Sequence, residues 1–197
     1  WRGILPPLII AAGGLPSIIT HQWRKRGGKL LIAYTAPFVL LGWSVLLFAS
    51  PSPSGFVEAD PLYALARGVG QIFLLDQPLA GLLIIVGMFI ANPYAAMWAV
   101  IGSAIGGGVA LLADQAQAAW LGLNGFNAAL AALAFSRQGE KPWVTLLAIA
   151  LALLLQPLFK LLPMPGLTAP FVAACWLMHL GSHLAQPRQR NASRLHS

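Results

Sequence analysis

Eight long apolar stretches, at about 4–20, 30–49, 61–75, 78–91, 94–113, 118–135, 142–162 and 167–185, leave little of this chain over. Each is a run of Leu, Ala, Ile and Val closed by Pro, Gly or a charged residue. An open sheet cannot satisfy its backbone in lipid, and a barrel strand would alternate instead of running continuously, so all eight read as helices. Composition agrees: 58% of residues are apolar and 9% charged, against roughly 45–50% and about 25% in soluble domains. Twelve Lys/Arg and five Asp/Glu cannot solvate a globule of this size, and a single cysteine, Cys175, excludes a disulfide scaffold. The fold class expected is an all-α polytopic membrane protein whose main partner is the lipid bilayer. The net charge of +7 would suggest nucleic acid in a soluble protein; here it reads as the cytoplasmic Lys/Arg excess of a membrane protein, with no nucleic acid partner. The chain begins at Trp1 with no signal peptide, so it reads as a piece of something longer, its C-terminal portion.

The same charges orient the chain. Arg24, Lys25, Arg26 and Lys29 in the loop 21–29, and Arg188, Arg190 and Arg194 in the tail, should be cytoplasmic. The loop 50–60 carries Glu58 and Asp60 without a base and should lie outside. An odd number of crossings must join that loop to the tail, yet six stretches lie between. One therefore enters the membrane without crossing, giving about seven spans plus one re-entrant helix. The candidates are 118–135, broken by Gly122, Asn124, Gly125 and Asn127, and the short 61–75. The first is favoured. Re-entrant backbone persists at membrane depth only where protein buries it or a polar cavity hydrates it, so a pore or binding site is implied.

Thr35-Ala36-Pro37-Phe38-Val39 recurs as Thr168-Ala169-Pro170-Phe171-Val172, with Trp43 and Trp176 at the same offset, and a Pro lies in the stretch before each copy (Pro16, Pro157). On the orientation above the two copies cross in opposite senses. The repeats are inverted, as in transporters whose substrate sites lie at the repeat interface. The organisation expected is the two-helix end of a first repeat at 1–49, an extracytoplasmic loop at 50–60, a complete second repeat at 61–185 and a basic cytoplasmic tail at 186–197. Each Pro removes a backbone donor, so carbonyls near it should lack helical partners, and Thr35 and Thr168 become symmetry-related polar candidates.

No catalytic constellation is visible, and no cofactor is expected. His179 and His183 stand four apart on one helix face, a spacing that suits two metal ligands, but no acid or thiolate cluster accompanies them and a structural role is favoured. Asp76 and Asp114 fall at stretch ends and Glu140 in a loop; without an acid in the membrane interior, passive permeation of a neutral solute fits better than ion coupling. The polar residues inside the stretches are uncharged: Gln71, Asn124, Asn127, Thr35 and Thr168, with Ser103 and Gln156 behind them. Gln71 should face either a pore or another helix, and Gly102, Gly106, Gly107 and Gly108 read as close helix packing.

Three motifs carry a family resemblance. Gly70-Gln71-Ile72-Phe73-Leu74-Leu75-Asp76-Gln77-Pro78-Leu79-Ala80-Gly81, Gly122-Leu123-Asn124-Gly125-Phe126-Asn127 and Leu167-Thr168-Ala169-Pro170-Phe171 resemble, in order and spacing, the signatures of one repeat of the urea transporter family. The resemblance implies passive, channel-like permeation of urea through each protomer of a homotrimer, built from inverted halves that each include a re-entrant helix. By the same resemblance Gln71 supplies a side-chain oxygen, Phe126 and Leu130 wall a flat slot, and Thr35 and Thr168 form its constriction; Asn127 and Leu74 complete the expected solute-binding set. Leu74 stands where the family has Phe, Gln77 where it has Asn, and Met164-Pro165-Gly166 alters the usual Leu-Pro spacing. Urea suits such a lining physically, since a row of acceptor oxygens replaces the water lost by its N–H donors while charges would bind ions instead. The rival readings are an ion-coupled carrier or a channel for another small neutral amide, and a non-transport membrane protein, either an intramembrane metalloenzyme using His179 and His183 or an assembly subunit. The location expected is a bacterial inner membrane.

Overall fold

The computed structural model describes residues 18–25, 34–46, 59–73, 77–137, 141–162 and 165–194. Leu74, Glu58, Asp76, Glu140 and most of the stretch 4–20 lie outside the described residues. The described chain is helical, with no strand: α1 over 18–25, α2 Ala36–Leu46, α3 Pro61–Gly70 followed by a 3-10 turn Gln71–Phe73, α4 Pro78–Ala91, α5 Pro93–Leu112, α6 Ala116–Trp120, α7 Gly125–Phe135, α8 Pro142–Lys160 and α9 Ala169–Arg194.

Proline opens α3, α4, α5 and α8, the position where its fixed φ is already helical and its missing N–H breaks no helical bond. Asp60 caps α3 by accepting from the Leu62 and Tyr63 amides at 2.8 and 3.1 Å. Asn92 ends α4 and, with its extended backbone, caps α5 by accepting from Ala95 N at 3.1 Å, so one residue both stops and restarts the chain.

The chain divides into two compact units, Trp1–Pro51 with Leu162–Ser197 and Ser52–Leu161. In the second unit α5 and α8 are long and apolar enough to cross a membrane; at 1.5 Å per residue each spans about 30 Å. Leu79, Leu83 and Ile90 on α4 and Leu154 and Leu158 on α8 are exposed, apolar exteriors that suit lipid better than water. The fold is helical and membrane-associated.

The segment from α6 through α7 runs antiparallel to α8. Thr145 Oγ1 donates to Phe135 O at 3.0 Å, Ile149 packs with Ala128 and Ala132, Gln156 Nε2 reaches Leu123 O, and Lys160 Nζ meets Gln115 Oε1. The segment from Gln115 to Phe135 therefore runs along α8 for nearly its full length. It likewise runs along α5, from Ala119 and Trp120, which share a cavity wall with Leu111, to Ser136, which lines a pocket with Asn92 and Pro93. By contrast α3 begins with Pro61 at the Leu111 end of α5 and meets Ser103 at Leu65 O, which accepts from Ser103 Oγ at 3.1 Å, and again at Gly68. The stretch 118–135 thus runs beside α5 and α8 for most of their length with a break at 121–124, while α3 and its 3-10 turn cover a shorter part of α5. The reason is local: glycines at 122 and 125 break the helix of 118–135 without turning it back, whereas α3 stops after ten residues and α4 restarts at Pro78.

Candidate functional site

The break between α6 and α7, residues 121–124, organises the polar side chains of the second unit. Gly122 has φ +71, a left-handed conformation that a Cβ disfavours, and a Cβ there would lie 2.5 Å from Gly68 N. Backbone meets backbone on the other side too: a Cβ on Gly106 would lie 2.5 Å from Asn124 O, and one on Gly102 would lie 2.7 Å from Ala128 O. Close packing accounts for these two glycines but not for Gly107 and Gly108, whose added Cβ atoms would meet nothing within 4 Å.

The carbonyls at the break are engaged by side chains. Arg67 Nη1 donates to Trp120 O at 3.3 Å, Gln71 Nε2 to Leu121 O at 3.4 Å and Gln156 Nε2 to Leu123 O at 3.1 Å. Arg67 and Gln71, four apart, thus lie on one face of α3 and its turn. Sequence reasoning passed over Arg67, although a lone cation four residues before Gln71 in an apolar stretch was the available signal. Phe126 and Leu130 follow the break one helical turn apart on α7, both half-buried, and Asn127 between them is buried. Gln71, Phe126, Leu130 and Asn127 therefore belong to one unit, with α7 packed against the 3-10 turn that carries Gln71. Leu74 lies outside the described residues.

In the first unit the duplicated motifs meet. Thr35 Oγ1 and Thr168 Oγ1 are hydrogen-bonded at 2.8 Å. The two copies share one local build: Tyr34 and Leu167 have positive φ, 42° and 46°, each Thr carbonyl accepts from the Val four residues on, at 3.0 and 3.1 Å, and Pro37 and Pro170 are fully buried. Non-glycine residues at positive φ are strained, and both copies carry that strain at the same position. Further contacts join the copies: Tyr34 stands edge-on to Phe171 with ring centroids 5.5 Å apart, and Trp43 Nε1 donates to Pro165 O at 2.9 Å. One expectation is corrected. Pro37 and Pro170 occupy the second helical position, where a donor is unused anyway, and Gly166 O, four residues before Pro170, accepts from Ala169 N at 2.9 Å; Pro170 frees no carbonyl there. Pro157, inside α8, does deprive Leu153 O of its helical donor.

His179 Nε2 is hydrogen-bonded to Tyr34 Oη at 2.6 Å and stacked on its ring, while His183 is exposed. Among the described residues no group of three or more His, Cys, Asp or Glu side chains is placed to hold a metal ion.

Comparison with known proteins decides the family. The family described as Urea transporter matches residues 28–183. The chain belongs to the urea transporter family. That family is one of transporters and not of enzymes. Similar members include "Urea transporter 1" of Mus musculus and of Ovis aries, each 31% identical over 98 residues, which is 48% of this chain and 26% of the relative. The same protein of Rattus norvegicus is 30% identical over a stretch of the same length. The match thus spans about a quarter of these relatives.

Proposed function

We propose that this protein conducts urea passively across a membrane through a channel-like pathway lined by neutral hydrogen-bonding groups. The observation that carries the reading is the pairing of the duplicated threonines at 2.8 Å: uncharged hydroxyls from equivalent positions of two motif copies, as a constriction for a neutral solute requires. In the first unit Thr35 and Thr168 take the constriction role. In the second, Gln71 offers an amide oxygen, its NH2 being held by Leu121 O, and Phe126 and Leu130 give the flat apolar wall on which a planar solute slides, with Asn127 behind them. The matching build of the two threonine motifs favours an inverted repeat. The register of the second unit favours α3 as its re-entrant helix, with α4, α5, the α6–α7 rod and α8 as crossings and Arg137 and Lys141 on the cytoplasmic side. The assembly is a homotrimer in a bacterial inner membrane.

Urea must shed water to pass, and each N–H that finds a fixed oxygen recovers about 0.5–1.5 kcal/mol of that loss. A lining of hydroxyl and amide oxygens does this without the ionic charge that would trap or select ions. Proteoliposomes containing the intact protein should shrink and then recover in an inward urea gradient faster than empty vesicles, and Thr168→Trp should slow the recovery. Recovery no faster than in empty vesicles would contradict the proposal.

A further inference from the structure

Two glutamines from different elements of the second unit reach the same break. Gln71 donates through Nε2 to Leu121 O and Gln156, on α8, through Nε2 to Leu123 O. A carbonyl oxygen has no proton to give, so each contact fixes the amide's orientation: the NH2 faces the break and Oε1 faces away from it. Neither Oε1 accepts a hydrogen bond among the described residues. Gln156 is only 9% exposed, yet among the described residues the buried side-chain nitrogen or oxygen atoms without a partner reduce to Trp98 Nε1; the Gln156 oxygen therefore borders open space. Asn124, in the same break and 7% exposed, makes no capping hydrogen bond although it stands at the N-terminus of α7. Pro157 follows Gln156 and leaves Leu153 O without its helical donor. An amide oxygen that is open on one side and takes no protein donor is free to accept from a small solute.

We infer that Gln156 is a specificity-determining residue whose Oε1 accepts an N–H from a neutral amide solute, in addition to the oxygen that Gln71 offers. The inference rests on the urea reading above. Bracing of the break needs only the glutamine's donor end; solute recognition uses the opposite end, and the two roles separate by solute. Urea carries an NH2 on each side of its carbonyl and can serve two oxygens, whereas acetamide carries one and can serve only one.

The test compares urea and acetamide flux through the intact protein in proteoliposomes for wild type, Gln156→Met and Gln156→Asn, each normalised to reconstituted protein. Both variants should lower the urea-to-acetamide flux ratio, Gln156→Met by about 3- to 10-fold, the range that one lost hydrogen bond gives. Gln156→Asn keeps an amide on a shorter stem and should shift the ratio the same way by less, which serves as the readout if Gln156→Met does not reconstitute. Equal falls for both solutes, or an unchanged ratio, would overturn the inference and leave Gln156 a brace. Wild-type protein without urea flux would instead overturn the underlying urea reading.

Discussion

Gly122 shows how narrowly single residues define the second unit. Its φ of +71 and the 2.5 Å approach of a would-be Cβ to Gly68 N combine left-handed strain with backbone overlap, and neither neighbour is a side chain able to swing aside. Gly122→Ala should lower stability by about 2–4 kcal/mol, adding strain to overpacking, read as a lower thermal midpoint in detergent. Gly107→Ala is the matched control, since nothing lies within 4 Å of its added Cβ; it should be neutral or stabilising by up to about 1 kcal/mol. The sequence reading assigned both glycines to packing or breakage by residue type alone, and only their neighbours separate them. Thr35 and Thr168 show the opposite case. A duplicated five-residue motif marked them as equivalent, and the structure brings their hydroxyls to 2.8 Å.

At the scale of elements, apolar length and Pro punctuation were enough to place α4, α5, α7, α8 and the start of α9. Crossing parity was enough to require one element that does not cross. Residue type alone does not single that element out, because Gly122 and Gly125 look alike whether a helix breaks and continues or breaks and turns back; the long-range register, Thr145 with Phe135 and Gln156 with Leu123, favours α3 for the role proposed above. Single cysteines introduced at Asn92 and Arg137 should accordingly be labelled by an impermeant thiol reagent from one side of the membrane, and one at Leu161 from the other, in a Cys175→Ser background. Labelling of positions 92 and 137 from opposite sides would restore 118–135 as the re-entrant stretch. The α5–α7–α8 core holds a second element-scale test. Trp98 packs with Ala128, Ala132 and Ile149 while its Nε1 has no hydrogen-bond partner. Trp98→Phe removes an orphaned donor worth about 1–3 kcal/mol of penalty along with some packing, so stability should stay within about 1 kcal/mol of wild type, whereas Trp98→Ala should cost about 3–5 kcal/mol. Thermal unfolding of the two variants distinguishes these outcomes.

At the scale of the whole molecule, the balance of 58% apolar against 9% charged residues points to lipid as the solvent, and family membership over residues 28–183 points to transport. Between them stands the proposed mechanism: the side chains proposed for the pathway are neutral, and on that proposal the solute moves without coupling to an ion. Urea uptake into proteoliposomes of the intact protein, followed with and without ionophores that collapse proton and sodium gradients, tests this most directly. Passive conduction predicts one uptake rate in both conditions, set only by the urea gradient and well above that of empty vesicles. Uptake that stops when an ion gradient is collapsed would contradict it.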